Sequence, residues 1–244
     1  DAVLNAIDAR TAVAALPHCH WITGEVLDLV RIRAACDAVG AALVIDGTQS
    51  VGAYPFDVRE IRPDFLATAT YKWLLGPYSM GFLYVDPRWQ DGEPLEENWI
   101  ARKDSEAFGK LTDYEDAYED GARRFDVGER ANFALMPAVI RALRQIMDWR
   151  VDRISRSIGV LTRRLSEGLQ AEGFDVPPLD GRAPHYFYLP WPGNAGDLQG
   201  WLAARDMYMS ARVTALRVTP HIYNDESDVD RFVAALVKAR AAGI

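Results

Sequence analysis

Apolar and polar positions along the first third of the chain follow two rhythms. Thr11 to Leu16 is a short Ala/Val/Leu run that stops at Pro17. Over Glu25 to Val39, the residues Val26, Leu29, Val30, Ile32, Ala35 and Val39 recur at spacings near three and four. That spacing predicts a helix with one buried face, and Gly40 follows as its C-cap candidate. Ala42 to Ile45 reads as a brief buried strand ending in an acid, Asp46. Asp64 to Thr70 and Met80 to Val85 read as two more strands, bounded by Gly or Pro. Strand, helix, strand in this order predicts an α/β domain, a mostly parallel sheet with helices on both faces.

Further along, Asp91 to Gly121 is polar, acidic and poorly periodic, with Tyr114 and Tyr118 scattered through it. It reads as a long surface excursion, a lid or an interface. Ala131 to about Leu169 turns helical, with a bend expected near Pro137 and an apolar stripe at Leu161, Leu165 and Leu169. From Gly173 the chain restarts with short strands, then helices at Gly196 to Arg205 and Ser227 to Ala242. These patterns predict a large domain over residues 1–148 and a small C-terminal α+β domain over 149–244. The chain opens Asp-Ala-Val-Leu with no initiator Met or signal pattern, so further residues are expected upstream.

Composition narrows the function classes. With 27 Lys and Arg against 35 Asp and Glu, the net charge is −8, which on average repels a phosphate backbone and argues against a nucleic-acid partner. No apolar run approaches the ~20 residues of a bilayer span, so no membrane partner is expected. Two cysteines, Cys19 and Cys36, cannot build a disulfide scaffold or a four-ligand zinc site. A cytoplasmic protein without a metal is expected.

Ligands of open parallel sheets gather at the C-terminal ends of the strands. Those ends supply His18 to Thr23, Asp46 to Ser50 and Thr68 to Lys72. Asp46 and Lys72 stand about one strand–helix–strand step apart, so they can meet over one edge. A lysine among Trp73, Leu74 and Leu75 is expected to lose proton affinity, as a Schiff-base nucleophile needs. A neighbouring aspartate suits a protonated ring nitrogen. The same two residues also fit a partly buried salt bridge with no catalytic role.

Longer motifs bear on that choice. DGTQSVGA (46–53), DFLATATYKWLLGP (64–77), PHCHWITGEVLDL (17–29) and ALRVTPHIYNDESDVDRF (215–232) together resemble the class V aminotransferase family. These are fold-type I enzymes dependent on pyridoxal 5′-phosphate, and the likeness is strongest to their kynureninase and isopenicillin epimerase-like side. The resemblance implies an incomplete fold-type I large domain plus the small domain. It implies that Lys72 forms the internal aldimine, Asp46 pairs with the pyridine nitrogen, and Gln49 lies near the phenolic oxygen. Thr70 and Tyr71 match phosphate-binding positions, and Arg217 matches the arginine that grips the substrate carboxylate. His20 and Trp21 stand where relatives often carry Asn, near the cofactor's oxygen and ring. FDVGERAN (125–132) falls where relatives have a Gly-Thr loop. There Glu129 replaces a hydroxyl and would repel phosphate, leaving Asn132 as the candidate. Asn224 matches a turn or a contact, and Arg212 a second carboxylate ligand, a structural partner or a solvated residue.

The resemblance further implies an amino-acid substrate, a homodimer, and a ring-stacking aromatic and Gly-rich phosphate turn upstream of Asp1. Transamination, kynureninase-like hydrolysis and epimerisation stay open. Desulfuration through a loop cysteine is disfavoured, because no Cys stands between Gly173 and Arg217. The competing reading is an inactive remnant of the fold serving as a scaffold.

Overall fold

Every residue but Leu111, Tyr114 and Val213 is described by the computed structural model, in which the chain divides into two compact units. The first comprises Asp1–Pro17, Asp28–Thr48 and Phe56–Gln145. The second comprises His18–Leu27, Gln49–Pro55 and Ile146–Ile244.

The first unit is built on a four-stranded sheet, β1 (Val13–Pro17), β2 (Ala42–Asp46), β3 (Phe65–Ala69) and β4 (Gly81–Val85), in that spatial order. β1, β2 and β3 are parallel, in a register that aligns Pro17 with Asp46 and Asp46 with Ala67. The carboxyl ends of the three strands therefore share one edge. β4 runs antiparallel to β3, so the sheet is mostly parallel, as expected, with one antiparallel strand at its edge. The connection, residues 70–80, is too short for a helical crossover, so the strand folds straight back.

Among the helices, α1 (Ala2–Ala6) and α3 (Val58–Ile61) are short, and α2 (Leu29–Val39) buries Leu29, Ile32, Arg33 and Cys36. α2 begins four residues later than the apolar periodicity suggested. The Asp28 carboxylate accepts the Arg31 N–H at 3.0 Å and caps the first turn there. Gly40 ends the helix at φ 77°, the left-handed conformation that favours glycine.

Asp64 anchors the amino-terminal end of β3. Fully buried, it accepts the Leu43 N–H at 2.6 Å and Arg33 Nη1–H at 2.7 Å, and also pairs with Arg88 and Trp89 Nε1–H. One carboxylate thus ties α2, β2, β3 and the turn after β4. Burial pushes its pKa up, but the bonds from Leu43, Trp89, Arg33 and Arg88 outweigh that and hold it below the usual carboxylate range.

The described residues of 91–121 are mostly exposed and include two single 3₁₀ turns, Trp99–Ala101 and Phe108–Lys110, and an isolated Arg102–Tyr118 bridge. Tyr118 lies under the Arg102 guanidinium at 3.8 Å; Tyr114 is outside the described residues. The helical region after it is two helices, α4 (Met136–Trp149) and α5 (Val151–Ala171). The break is at Arg150, φ 66°, not at Pro137. Pro137 occupies the first turn of α4, where its missing N–H has no partner to lose.

In the second unit, β5 (Phe187–Pro190), β6 (Ser210–Arg212) and β7 (Ala215–Val218) form an antiparallel sheet in the order β5-β7-β6. Its inner face, Leu189 and Leu216, joins a core with Leu161, Leu165 and Leu169 of α5. Leu198 and Leu202 come from α6 (Ala195–Ala203), and Val229, Ala235, Leu236 and Ala239 from α7 (Glu226–Ala241). A capping box between Asp225 and Asp228 starts α7.

Candidate active site

Asp46 is the last residue of β2, and Lys72 stands three residues past the end of β3. The register places both at the carboxyl edge of the first unit's sheet. Asp46 is exposed, and one of its oxygens accepts the Thr48 N–H at 2.9 Å. Lys72 is half-buried, with Nζ 5.4 Å from the centre of the Tyr71 ring. Among the described residues, neither makes an ion pair. The salt-bridge reading of these two is therefore not what the structure shows.

The loop carrying Lys72 is fixed from within. Thr70, almost fully buried, donates its hydroxyl to the carbonyls of Pro77 at 2.9 Å and Met80 at 3.1 Å. Its own carbonyl accepts the Gly76 N–H at 2.9 Å. A Cβ at Gly76 would come within 2.7 Å of Thr70 Cβ, so the turn closes only over glycine. Thr70 thus uses its proton on the Lys72 loop. Tyr71 is exposed and stacked on Tyr78, ring centres 4.4 Å apart. Asn132 accepts the Leu135 N–H on Oδ1 at 3.0 Å, at the start of α4. Thr48 also ties strand ends together, accepting the Ala69 N–H at 3.2 Å.

His20, Trp21, Gln49 and Arg217 belong to the second unit. His20 Nδ1 receives the Thr23 N–H at 3.3 Å and lies 3.0 Å from the Thr23 hydroxyl. That pattern makes Nδ1 the acceptor and puts the ring proton on Nε2, an outward donor. The turn from His20 closes at Gly24, φ 72°, where a Cβ would sit 2.5 Å from Tyr186 Cβ.

Gln49 is held at both ends. Its backbone carbonyl accepts His185 Nε2–H at 2.6 Å and the Cys19 thiol at 3.2 Å. Its side-chain Oε1 accepts the Tyr186 hydroxyl. Those bonds leave the amide N–H₂ as the outward-facing donor. Arg217 Nη1 donates to the Trp21 carbonyl at 2.9 Å, and its guanidinium lies 5.4 Å from the Tyr186 ring centre. Burial pulls the Arg217 pKa below its ordinary value; Tyr186 opposes that and Arg212 adds to it. Tyr186 and His185, both buried, carry no motif that marks them in sequence; only the fold brings them to Gln49. Asn224 has a turn role. Its Oδ1 accepts the His221 N–H at 3.0 Å and its Nδ2 donates to Asp228 at 3.1 Å.

The donors present suit pyridoxal 5′-phosphate at its ring and attachment ends. Among the described residues, Lys72 and Asp46 at the first unit's sheet edge make no ion pair, so the amine can carry the group and the carboxylate can take a ring N–H. Within the second unit, the Gln49 amide and His20 Nε2–H are N–H donors of the kind an oxyanion takes. Among the described residues no helix is long and apolar enough to cross a membrane, and no cluster of three or more acidic, His or Cys side chains is placed to hold a metal.

Known proteins resemble this chain along nearly its whole length. The chain is 27% identical over 224 residues to the "uncharacterized aminotransferase YcbU" of Bacillus subtilis (strain 168), covering 91% of this chain and 58% of that protein. It is 29% identical to the isopenicillin N epimerase of Amycolatopsis lactamdurans, over 97% of this chain and 62% of that protein. A solved structure of the C-DES protein, with glycine covalently linked to its PLP cofactor, superposes with TM-score 0.84 at 21% identity. The match covers 96% of this chain and 62% of that one. The chain thus spans about three-fifths of the length of these relatives, and the fold is that of the pyridoxal-phosphate enzymes of fold-type I. Residues 1–175, which carry the Asp46 and Lys72 strand ends, match the family described as Aminotransferase class-V, and the chain belongs to that family.

Proposed function

We propose that this chain is the main part of a pyridoxal-phosphate-dependent enzyme that transforms an amino acid, working as a cytoplasmic homodimer. The observation that carries the reading is the pair at one sheet edge: Lys72 and Asp46, on neighbouring strand ends, each without an ion-pair partner among the described residues. A lysine and a carboxylate that stabilised the fold would be paired with something.

In this reading Lys72 is the covalent attachment point, and once released it moves the proton at the substrate's α-carbon. Asp46 would accept a hydrogen bond from the protonated ring nitrogen and so keep the ring cationic. The Gln49 amide and His20 Nε2–H donate to the phenolic oxygen, and Trp21 lies against the ring. Tyr71 and Asn132 serve the phosphate, and Thr70 holds the Lys72 loop in shape for it. Arg217 binds the α-carboxylate through its guanidinium fork. The bound coenzyme supplies an electron sink for the bond broken at the α-carbon. Transamination and kynureninase- or epimerase-like chemistry share these residues. The lack of any Cys from Gly173 to Arg217 speaks against loop-cysteine desulfuration.

The test is borohydride reduction after incubation with pyridoxal phosphate, followed by peptide mapping. We expect a pyridoxyl label on Lys72 and its complete loss in Lys72→Ala. A label elsewhere, or none on the full-length protein, overturns the reading in favour of a scaffold that has kept the fold without the chemistry.

A further inference from the structure

Directly opposed residues of an antiparallel ladder share one face of the sheet. Arg217 lies opposite Tyr188 on β5 and Ser210 on β6, while Arg212 lies opposite Ala215, two residues before Arg217 on β7. Leu189 and Leu216 point the other way, into the core. Arg212 and Arg217 therefore stand together on the face turned away from that core. Both also touch Trp21. Arg217 donates to its carbonyl, and the Arg212 guanidinium lies 5.8 Å from the centre of its half-exposed indole ring.

These two arginines differ from the chain's structural ones. Arg33 is paired with Asp37 and Asp64, and Arg164 with Glu226 and Asp230. Among the described residues, the hydrogen bonds of Arg212 and Arg217 go to the carbonyls of Ala211 and Trp21. No carboxylate of the described residues pairs with either. Two half-buried like charges without a counter-ion repel and lack the hydration they had in water. One monocarboxylate can answer one fork. An anion with two separated acid groups answers both, each by charge-assisted bonds.

We propose that this face selects an amino acid whose side chain ends in a second carboxylate, with Arg212 on that second acid and Arg217 on the α-carboxylate. The Arg217 half of this assignment rests on the function proposed above. Trp21 supplies a flat apolar wall for the methylenes between the two acids.

The test is calorimetric binding of succinate, glutarate and adipate, against butyrate, to the protein before and after loading with pyridoxal phosphate. The best diacid should bind at least about tenfold tighter than butyrate, the scale of one charge-assisted hydrogen bond. Arg212→Gln should erase that margin, and Arg212→Lys should keep part of it. In the loaded protein, Arg212→Gln should lower the kcat/KM ratio of acidic over neutral amino acids by the same factor. Equal binding of diacids and butyrate by the unaltered protein overturns the proposal without any variant. So does a margin that survives Arg212→Gln. A fall in coenzyme affinity with the diacid margin intact would assign Arg212 to the phosphate and also overturn it. A diacid margin without any label on Lys72 would sustain the anion site while removing the coenzyme reading.

Discussion

The two ends of β3 put similar chemistry to opposite uses. At its amino end, Asp64 is fully buried and every oxygen is engaged, by Leu43, Arg33, Arg88 and Trp89. Beyond its carboxyl end, Lys72 and the neighbouring Asp46 are left without ion pairs among the described residues. Groups that hold the fold satisfy one another; groups that await a ligand do not. The second unit repeats the contrast. Gln49, His185, Tyr186 and Cys19 satisfy one another through a set of bonds, whereas among the described residues Arg212 and Arg217 pair with no acid.

The largest effect should come from breaking the closed end. Asp64→Asn removes the buried one of the two carboxylates paired with Arg33 and leaves that guanidinium buried. We expect a loss of about 3–5 kcal/mol in denaturant unfolding. At the other end, Lys72→Met should change stability by less than about 1 kcal/mol while abolishing coenzyme labelling. Similar stability losses at the two ends would mean that Lys72 has a structural partner and would remove the contrast.

A smaller effect should follow from pH in the second unit. Burial depresses both His18 and His185 to about 4. Their unfolded value is about 6.5. Between those values the unfolded chain binds protons that the folded chain refuses, so stability falls as pH drops through this window and is regained above it. At pH 5.5 each histidine should cost about 1.4 kcal/mol relative to neutral pH. The denaturant midpoint should therefore fall from pH 7.5 to 5.5, and His185→Gln should make that slope clearly shallower, with His18 and His221, both also depressed by burial, carrying the rest. An unchanged slope would show that His185 titrates normally and is less enclosed than its bond to Gln49 indicates.

What could be read from the chain alone follows the reach of each signal. The α5 stripe and the Asp-ended strand are set by side chains a few residues apart, so periodicity found them. Helix limits depend on capping bonds: Asp28 starts α2 where hydrophobic spacing would extend it to Glu25, and Arg150, not Pro137, separates α4 from α5. The antiparallel β4 depended on connection length, which the strand rhythm did not weigh. Lys72, Asp46, Gln49 and Arg217 stand in motifs with local spacing and so could be nominated. Tyr186 and His185 could not, because more than 130 residues separate them from Gln49 and a lone buried aromatic reads as core.

Tyr186 gives the finest test of the comparison. Its hydroxyl donates to Gln49 Oε1 and its ring lies against Arg217, so one buried side chain orients one proposed coenzyme contact and abuts the proposed carboxylate ligand. Tyr186→Phe deletes the donor and keeps the ring. Gln49 is only partly buried, so water can replace the lost bond, and we expect a stability change of about 1 kcal/mol. The larger consequence is directional: with Oε1 no longer held, the amide can turn its oxygen outward, where it would face the coenzyme's oxyanion with an acceptor instead of a donor. Coenzyme affinity should fall several-fold and the pH midpoint of the bound coenzyme's visible absorbance should rise, because the anionic oxygen loses a donor. Substrate KM should move little, since the ring against Arg217 is intact. Tyr186→Leu, which removes the ring as well, should raise KM in addition. If Tyr186→Phe lowered stability by about 1 kcal/mol without moving the absorbance midpoint, Tyr186 would belong wholly to the set of bonds that holds the fold.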